Sequence, residues 1–578
     1  MCIGVVTTRR ALVAVAVASL LLNACGGDEA DGTPVKAATS SQVQQVAHAS
    51  AVNTSMTEAQ AASFLNMATF GATQASIAEL RSAGAYKAWL EQQMAMQPAT
   101  SYWETLSGLW TGDTRAPFPS KAYGADPAGE LIHPVMWKSY ITSADQLRKR
   151  VGAALLEIFV INERVASIGL KNNQFEAAAY LDMLERDAFG NFRTLLEDVA
   201  LSPAMGNFLS HRGNRKADYG PDGVETRVPD ENFAREIMQL FSIGLVDLNQ
   251  DGTVRLVNGQ PVETYNQSDV FNLARVFTGW DYDPSAAGLA RNRAPMVPFP
   301  SRHSPEAKAF LGIKIPAGTG PRASLKLALD RIFAHPNVGP FIGKQLIQRL
   351  VGSNPSPGYV ARVAAVFANN GSGVRGDMAA VIRAILTDPE ALRGPAADDA
   401  PRSSDGKLRE PMMRLTAVAR ALGATSSSAV FPIGNLTDSD PAIGQTPVGS
   451  PSVFNFFRPG YVPPSSDLAA AGLVAPEFQI VNGSSLISSI NFINTMIADD
   501  AGVFVYTQMP SLRKLASTPP ALVDRCILLL TGRGVGISSA ERDAMIAALI
   551  AIPAEQARAR VVAAMQMVAS SQAFIVQN

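Results

Sequence analysis

Apolar side chains recur at helical spacing from about residue 56 almost to the end of the chain. The clearest example is residues 228–245, where apolar and polar positions occupy opposite faces at about 100° per residue. Asp230 can cap the N-terminus of this helix, and Gly244 can end it. The same periodicity predicts helices at residues 56–65, 75–83, 85–97, 143–162, 175–187, 192–202, 266–278, 325–333, 340–351, 357–369, 377–387, 410–421, 477–498, 519–531, 538–551 and 555–570. Alternation of period two is scarce, so the pattern predicts an all-α fold with a multi-helix globular body.

One short β-hairpin insertion is predicted near residues 253–264. Residues 254–257 and 260–264 flank the pair Asn258-Gly259. This pair supplies both positive-φ positions of a type I′ turn, which is the turn that best fits the twist of two antiparallel strands. The hairpin interrupts a chain that is otherwise helical.

The N-terminus has the pattern of a bacterial lipoprotein signal. Arg9 and Arg10 precede an apolar run over residues 11–22, which is shorter than the ~20 residues of a membrane span. Leu22, Ala24 and Cys25 resemble a lipobox, so residues 1–24 are predicted to be removed and Cys25 to carry the lipid. An ordinary signal peptide with a chance cysteine is the alternative.

The residues around this signal also bear on export and location. The residue after the cysteine is Gly26, whereas lipoproteins kept at the inner membrane have Asp there. In this respect the chain resembles lipoproteins that are sent on to the outer membrane. We therefore expect a lipid-anchored protein of the bacterial cell envelope, at the outer membrane, on either its periplasmic or its surface side. The arginine pair also resembles a twin-arginine signal, so Sec and twin-arginine export both remain open.

Composition separates a tether from a folded body. Residues 25–55 contain no aromatic side chain and are predicted to form a flexible tether, because they cannot bury enough apolar surface to fold. Residues 56–578 are predicted to form the helical body, and a segment rich in Pro and Ser at residues 393–404 could separate two lobes.

A formal net charge of −1 gives no support for a nucleic-acid partner. Cys526 lies in an apolar run and is predicted to be a buried small hydrophobe.

Ten short motifs occur in order along the body. They are Phe64-Leu-Asn-Met-Ala-Thr-Phe-Gly71, Asp145-Gln-Leu-Arg-Lys-Arg150, Ala188-Phe-Gly-Asn-Phe-Arg193, Pro203-Ala-Met-Gly206, Asp230-Glu-Asn-Phe-Ala-Arg-Glu236, Thr278-Gly-Trp280, His335-Pro-Asn-Val-Gly-Pro340, Gly376-Asp377, Lys407-Leu-Arg-Glu-Pro411 and Pro451-Ser-Val-Phe-Asn-Phe-Phe-Arg-Pro-Gly460. From about Thr57 to Phe574 the chain resembles the bacterial family known as domain of unknown function 1800. The resemblance implies an exported, helical protein without a settled activity. Members of that family are often encoded beside an exported protein with a phosphatase-like or sulfatase-like fold, which suggests such a partner.

The polar face of the helix at residues 228–245 is one candidate for chemistry. It contains Glu231, Arg235 and Glu236, which form planar, directional hydrogen bonds and could bind a substrate rigidly. In this interpretation the two carboxyl groups are acid and base, Arg235 orients them, and His211 in a nearby polar loop is a further general base. His303 is in a similar polar loop, and the alternative for both histidines is a structural or solvated role. The alternative is a solvated helix face with one surface ion pair between Glu231 and Arg235.

A calcium site is the second candidate. Asp247, Asn249, Asp251 and Gly252 occupy positions 1, 3, 5 and 6 of a D-x-N-x-D-G loop, and the Thr253 carbonyl would be the ligand at position 7. Position 12 is Asn258 instead of a bidentate Glu, and it falls in the predicted hairpin turn. The alternative is a set of Asx residues that only shape the turn before the hairpin.

These features leave three hypotheses for function. The first is an assembly or interaction factor of the cell envelope that works with an exported partner and has an exposed apolar patch. The second is an envelope hydrolase that acts on a polysaccharide or a similar polymer, with Glu231 and Glu236 as its acid and base. The third is a calcium-dependent binding module.

Overall fold

Helices dominate the part of the chain that the structure describes. The structure is a computed structural model, and it describes residues 56–109, 131–162, 174–392, 406–426, 430–499, 502–534 and 536–577. Within these ranges there are 24 α-helices, with only short antiparallel strand pairs between them, so the all-α prediction is confirmed. The predicted signal peptide, Cys25, the predicted tether and the predicted lobe boundary at residues 393–404 lie outside the described residues.

The helices of the first half of the body run from residue 58 to residue 276. They are α1 (Glu58–Ala68), α2 (Gln74–Ala83), α3 (Tyr86–Ala95), α4 (Tyr102–Leu109), α5 (Ile132–Thr142), α6 (Gln146–Leu156), α7 (Gln174–Asp187), α8 (Phe192–Leu201), α9 (Pro203–Phe208), α10 (Asn232–Gln239) and α11 (Gln267–Val276).

The helices of the second half of the body run from residue 321 to residue 575. Its helices are α12 (Pro321–Ala334), α13 (Val338–Leu350), α14 (Pro357–Ala368), α15 (Met378–Thr387), α16 (Pro389–Leu392), α17 (Pro411–Ala421), α18 (Asp467–Ala470), α19 (Gly483–Ala498), α20 (Met509–Leu515), α21 (Pro519–Thr531), α22 (Ser539–Ile550), α23 (Ala557–Ala569) and α24 (Gln572–Ile575).

Twelve short strands pair antiparallel, two by two, in the described residues. The pairs are β1 (Asp218–Tyr219) with β2 (Glu225–Arg227), β3 (Leu256–Val257) with β4 (Gln260–Pro261), β5 (Trp280–Asp281) with β6 (Val297–Pro298), β7 (Lys308–Phe310) with β8 (Ile313–Ile315), β9 (Lys407–Leu408) with β12 (Val576–Gln577), and β10 (Ala424–Thr425) with β11 (Val505–Tyr506). The β3–β4 pair is the predicted hairpin, and Asn258 and Gly259 both have positive φ, at 52° and 76°, as the predicted turn requires.

Two helices are buried along their whole length. All 11 residues of α6 and all 11 residues of α17 are buried, including charged residues on both helices. A buried charge needs a partner, and Lys149 on α6 has one in Glu185 on α7, whose Oε2 lies 2.5 Å from the lysine nitrogen. The helix predicted at residues 143–162 is present but spans only Gln146–Leu156. The expectation that one apolar side packs against the body is wrong, because neighbouring elements cover α6 on every side.

The helix predicted at residues 228–245 is shorter than expected. It spans Asn232–Gln239, and the Asp230 carboxylate accepts a hydrogen bond from the Asn232 amide at its start. The chain then leaves the helix through wide turns, in which the Ile243 and Gly244 amides both donate to the Met238 carbonyl. Gly244 has φ 73°, which suits its predicted role at the end of the helix.

Candidate functional site

The outer face of α10 carries a small ring of polar groups. The Arg235 guanidinium donates to Glu231 Oε2 at 3.2 Å and to Gln267 Oε1 at 3.1 Å, and the Gln267 amide donates to Glu231 Oε2 at 2.7 Å. The side chains of Glu231 and Arg235 are 27% and 39% exposed. Each member already has a partner within the ring, and an ion pair exposed to this degree contributes little to stability.

Glu236 lies on the other side of this helix. The sequence pattern placed it on the polar, solvated face, and that placement is wrong, because only 7% of the residue is exposed. Its Oε2 atom is buried without a hydrogen-bond partner. Burial raises the pKa of Glu236 to about 7, against the opposing effect of Arg235. A carboxyl group with such a pKa can give or take a proton near neutral pH.

His211 is buried against the inner face of α10. Its ring stacks on Phe233 with 3.9 Å between ring centroids, and its Nε2 lies 2.9 Å from the Ala200 carbonyl oxygen. Because a carbonyl only accepts, Nε2 carries the proton of the neutral ring. Burial lowers the pKa of His211 to about 4. Phe233 points about 160° away from Glu231 and Arg235 at 100° per residue, so His211 does not join their ring.

This burial predicts a pH dependence of folding. The unfolded chain binds a proton on His211 below about pH 6.5, whereas the folded chain does so only near pH 4. Stability is therefore expected to fall by roughly 3 kcal/mol as the pH drops from 6.5 to 4. His211→Gln should remove this part of the slope in chemical denaturation series. The quantity to measure is the difference between the slopes of stability against pH of the wild-type protein and of His211→Gln, because Glu236 contributes to both with the opposite sign between pH 4.5 and 7. Equal slopes would refute the burial of a neutral His211.

The predicted calcium loop is held by contacts among its own residues. Asp247 forms an ion pair with Arg255 at 3.0 Å, and Asp251 Oδ1 accepts hydrogen bonds from the Thr253 amide and hydroxyl at 3.0 and 2.6 Å. The Asn249 amide donates to the Thr253 hydroxyl at 2.9 Å. Among the described residues, no three His, Cys, Asp or Glu side chains are grouped as metal ligands. The loop contributes only two such residues, so the calcium site stays a prediction.

His303 and Cys526 are also buried. His303 Nδ1 lies 2.8 Å from the Thr278 carbonyl oxygen, and burial lowers the pKa of this histidine. Cys526 on α21 is fully buried, as predicted, and burial raises the pKa of its thiol to about 12. Neither residue is poised for chemistry at an accessible surface.

A further polar site lies in the core, and the sequence analysis did not assign it. We call it the buried charge cluster, and it consists of Glu157, Arg349, Lys407, Glu410 and Glu477. The Lys407 Nζ is 3.0 Å from Glu477 Oε1 and 3.7 Å from Glu410 Oε1, while Arg349 Nε is 3.5 Å from Glu157 Oε2. All five side chains are at most 5% exposed. Perturbed charges of this kind are frequent at functional sites.

Glu157 and Glu410 share one proton within this cluster. Burial, followed by the charge of Glu410, raises the pKa of Glu157 well above its usual range. Burial also opposes the ionisation of Glu410, but Lys407 and a hydrogen bond from Glu157 outweigh it and lower the pKa of that carboxyl. The protonated Glu157 carboxyl therefore donates to the Glu410 carboxylate, which also accepts a hydrogen bond from the Gln445 amide at 2.7 Å.

A small cavity of about 20 Å³ lies beside Glu157. Its polar lining comes from Glu157, Tyr140, Gln445, Ser450 and Asn455. Its apolar lining comes from Ala153, Leu156, Val160, Ile161, Met412, Pro447, Val448 and Phe456. The cavity therefore brings the end of α6 together with the loop at residues 445–456.

A signal for this site was present in the sequence motifs. Lys407 and Glu410 belong to Lys407-Leu-Arg-Glu-Pro411, and Asn455 belongs to the motif at residues 451–460. Helical periodicity does not identify these residues, because their burial follows from tertiary packing and not from local periodicity.

Comparison with known proteins gives one match. The model of the family described as "Protein of unknown function (DUF1800)" matches residues 63–576. No curated protein and no solved structure matches the chain. Among the described helices, none has the length and the apolar character that a membrane span requires. Since the family model covers most of the chain, the protein belongs to the DUF1800 family of proteins of unknown function.

Proposed function

We propose that this protein is an exported, lipid-anchored cell-envelope protein that works as an assembly or interaction factor. In this proposal Cys25 carries the lipid at the outer membrane, and residues 26–55 tether the body to it. Two β-hairpin arms, one before and one after α10 in the chain, bind an exported partner protein. Arm 1 is residues 218–228, and arm 2 is residues 245–264.

The exposure of apolar side chains on the arms supports this proposal. In the described residues, seven of the fourteen exposed large apolar side chains lie between residues 219 and 257. They are Tyr219, Val224 and Val228 in arm 1 and Leu245, Val254, Leu256 and Val257 in arm 2, each between 43% and 60% exposed. Apolar side chains concentrated in this way mark interaction sites, because their transfer from water into an interface is favourable.

The base of arm 2 is fixed to the helical body. The Asn337 amide donates to the carbonyls of Ile243 and Val246 at 2.9 and 2.8 Å and accepts from the Leu248 amide at 3.0 Å. The arm is thus held in place before any partner arrives, which reduces the entropy lost on binding.

The proposed partner is an exported protein with a phosphatase-like or sulfatase-like fold, as the resemblance to the family suggests. A doubly acylated Cys25 would hold the protein at the membrane surface, in the envelope compartment to which such a partner is also exported. The tether would let the arms reach it. Confinement of both proteins to the same compartment raises the effective concentration of each for the other.

Leu256→Asp in arm 2 is expected to weaken partner binding at least about tenfold, because a charge replaces an apolar contact in the interface. The matched control is Ile550→Asp at the end of α22, where the side chain is 62% exposed but lies outside the arms. The measurement is the amount of partner that co-purifies with the membrane-bound protein from its host. Equal recovery with both variants would contradict the role of arm 2.

A hydrolase is the second candidate function, and Glu236 is the observation that favours it. Its raised pKa of about 7 suits a general acid. Unchanged partner binding by Leu256→Asp, together with loss of the cellular function in Glu236→Gln, would favour the hydrolase over the interaction factor.

A further inference from the structure

Three arginines converge on the surface loops that follow α9 and β5. The guanidinium carbons of Arg212 and Arg291 lie 4.4 and 4.5 Å from the ring centroid of Tyr282. The two oxygens of Asp281 accept hydrogen bonds from Arg212 at 3.1 Å and from Arg302 at 3.0 Å. We call these five residues the arginine cluster. It holds three guanidinium groups around two consecutive residues of the chain.

A buried scaffold beneath the arginine cluster fixes two of its members. Glu176 on α7 is fully buried, and its two oxygens accept hydrogen bonds from the Tyr282 hydroxyl and, at 2.7 Å, from the Asn207 amide. The Asn207 oxygen in turn accepts from the Arg212 guanidinium. The ring and this guanidinium are therefore held in place before any ligand arrives, which reduces the entropy lost on binding.

The cations of this region are accessible to a ligand. The side chains of Arg212 and Arg302 are 31% and 33% exposed, and Arg291 is exposed. Two further exposed cations, Arg215 and Lys216, follow on the same loop, and the Lys216 amide donates to the Arg302 carbonyl at 2.9 Å. Within the described part of the chain, Arg215, Lys216 and Arg291 form no ion pair. Their N–H donors are available to an anion.

The balance of charge favours an anion at this place. The guanidinium carbons of Arg212 and Arg291 are at most about 9 Å apart, the sum of their distances to the shared ring, and like charges at this separation repel each other. The five basic side chains of the region accompany three acidic ones, Asp281, Asp283 and Glu176. A positive surplus of two therefore remains here, although the whole chain has a formal net charge of −1.

We propose that the arginine cluster, with Arg215 and Lys216 beside it, is a binding site for phosphate groups. A phosphate has three acceptor oxygens and a charge of about −1.5 to −2 near neutral pH, so one phosphate can accept from two guanidinium forks at once. A carboxylate has a single charge, and Asp281 already provides one between two of the arginines. The phosphate comes either from a soluble polyphosphate or from a lipid headgroup. This site does not depend on the proposed function of the arms.

Calorimetric titration of the purified protein with inorganic tripolyphosphate tests the proposal. We expect binding that weakens as sodium chloride is added, because salt screens exposed charges. Citrate, titrated at the same ionic strength, distinguishes phosphate from carboxylate and should bind more weakly. No binding of tripolyphosphate, or equally tight binding of citrate, would overturn the proposal.

Variants locate the binding. Arg291→Gln should weaken tripolyphosphate binding about tenfold, because it removes a charge-assisted hydrogen bond to the ligand. Arg291→Lys keeps the charge but loses the planar fork, and its affinity should lie between those of the wild type and Arg291→Gln. The matched control is Arg322→Gln, at an exposed position on α12. Wild-type affinity in Arg291→Gln, or an equal loss in Arg322→Gln, would contradict the assignment.

Vesicles then identify the source of the phosphate. The full chain carrying Cys25→Ala, which lacks the predicted lipid, is mixed with vesicles of phosphatidylglycerol or of phosphatidylcholine and separated by flotation. Flotation with phosphatidylglycerol that Arg291→Gln abolishes would identify a lipid headgroup as the ligand. Tripolyphosphate binding without flotation would identify a soluble polyphosphate. Flotation that Arg291→Gln leaves unchanged would contradict a headgroup site at the arginine cluster.

Discussion

Lys407→Met is expected to destabilise the protein by about 3–5 kcal/mol, the usual effect of removing one partner from a buried ion pair. The lysine lies between Glu477 and Glu410, and its ammonium group also donates to the carbonyls of Gln348 and Arg349 at 3.1 and 2.9 Å. Methionine fills a similar volume but removes the positive charge between the two carboxyl groups and the hydrogen bonds that the ammonium group donates. Chemical denaturation measures the loss, and failure to accumulate as folded protein is its extreme form.

Lys326→Met is the matched control for this prediction. Lys326 forms a 2.6 Å ion pair with Asp330 one helical turn away, but its side chain is 73% exposed. Water and salt screen such a pair, so its loss should change stability by less than about 1 kcal/mol. Similar effects of the two substitutions would show that the charge cluster is not buried as described.

Gly71→Ala is expected to destabilise the protein by about 3 kcal/mol or more, because two penalties add at one position. Gly71 has φ 129°, which residues with a side chain rarely adopt. An added Cβ would also lie 2.6 Å from the Ala417 Cα and 2.9 Å from its Cβ, inside the fully buried helix α17. Neither backbone can move away easily, because the Arg420 guanidinium donates to the Gly71 carbonyl at 2.8 Å.

Gly84→Ala separates the two penalties. Gly84 also has positive φ, at 76°, at the end of α2, but an added Cβ there would meet nothing within 4 Å. This substitution should cost only the backbone strain, about 1 kcal/mol. Thermal or chemical unfolding of the two variants measures the difference, and a loss no greater at Gly71 than at Gly84 would mean that the contact with α17 is not tight.

Features set by local chemistry were predictable from the sequence. Thr57 and Asn266 cap α1 and α11 with reciprocal hydrogen bonds, and Asp377 caps α15. Such caps depend only on a short polar side chain next to the first helical residues. The Asn258-Gly259 turn formed as predicted for the same reason, since its geometry depends on two adjacent residues.

Features set by tertiary packing were not predictable. The inward position of Glu236 and the complete burial of α6 depend on which elements pack around them, and helical periodicity cannot show that. For the same reason the sequence could not show that His211 lies apart from Glu231 and Arg235. The loop that carries His211 packs against the apolar side of α10. Residues of the charge cluster come from α13, β9 and other distant segments, so only the fold brings them together.

The most direct test of the proposed interaction factor is site-specific photo-crosslinking from arm 2. A photoreactive amino acid replaces Leu256 in the full-length chain in its own host, and the membrane fraction is illuminated and analysed by mass spectrometry. The account predicts one covalent adduct, with an exported protein of phosphatase-like or sulfatase-like fold, and no such adduct when the probe replaces Ile550. An absent adduct at Leu256, or the same adducts at both positions, would contradict it.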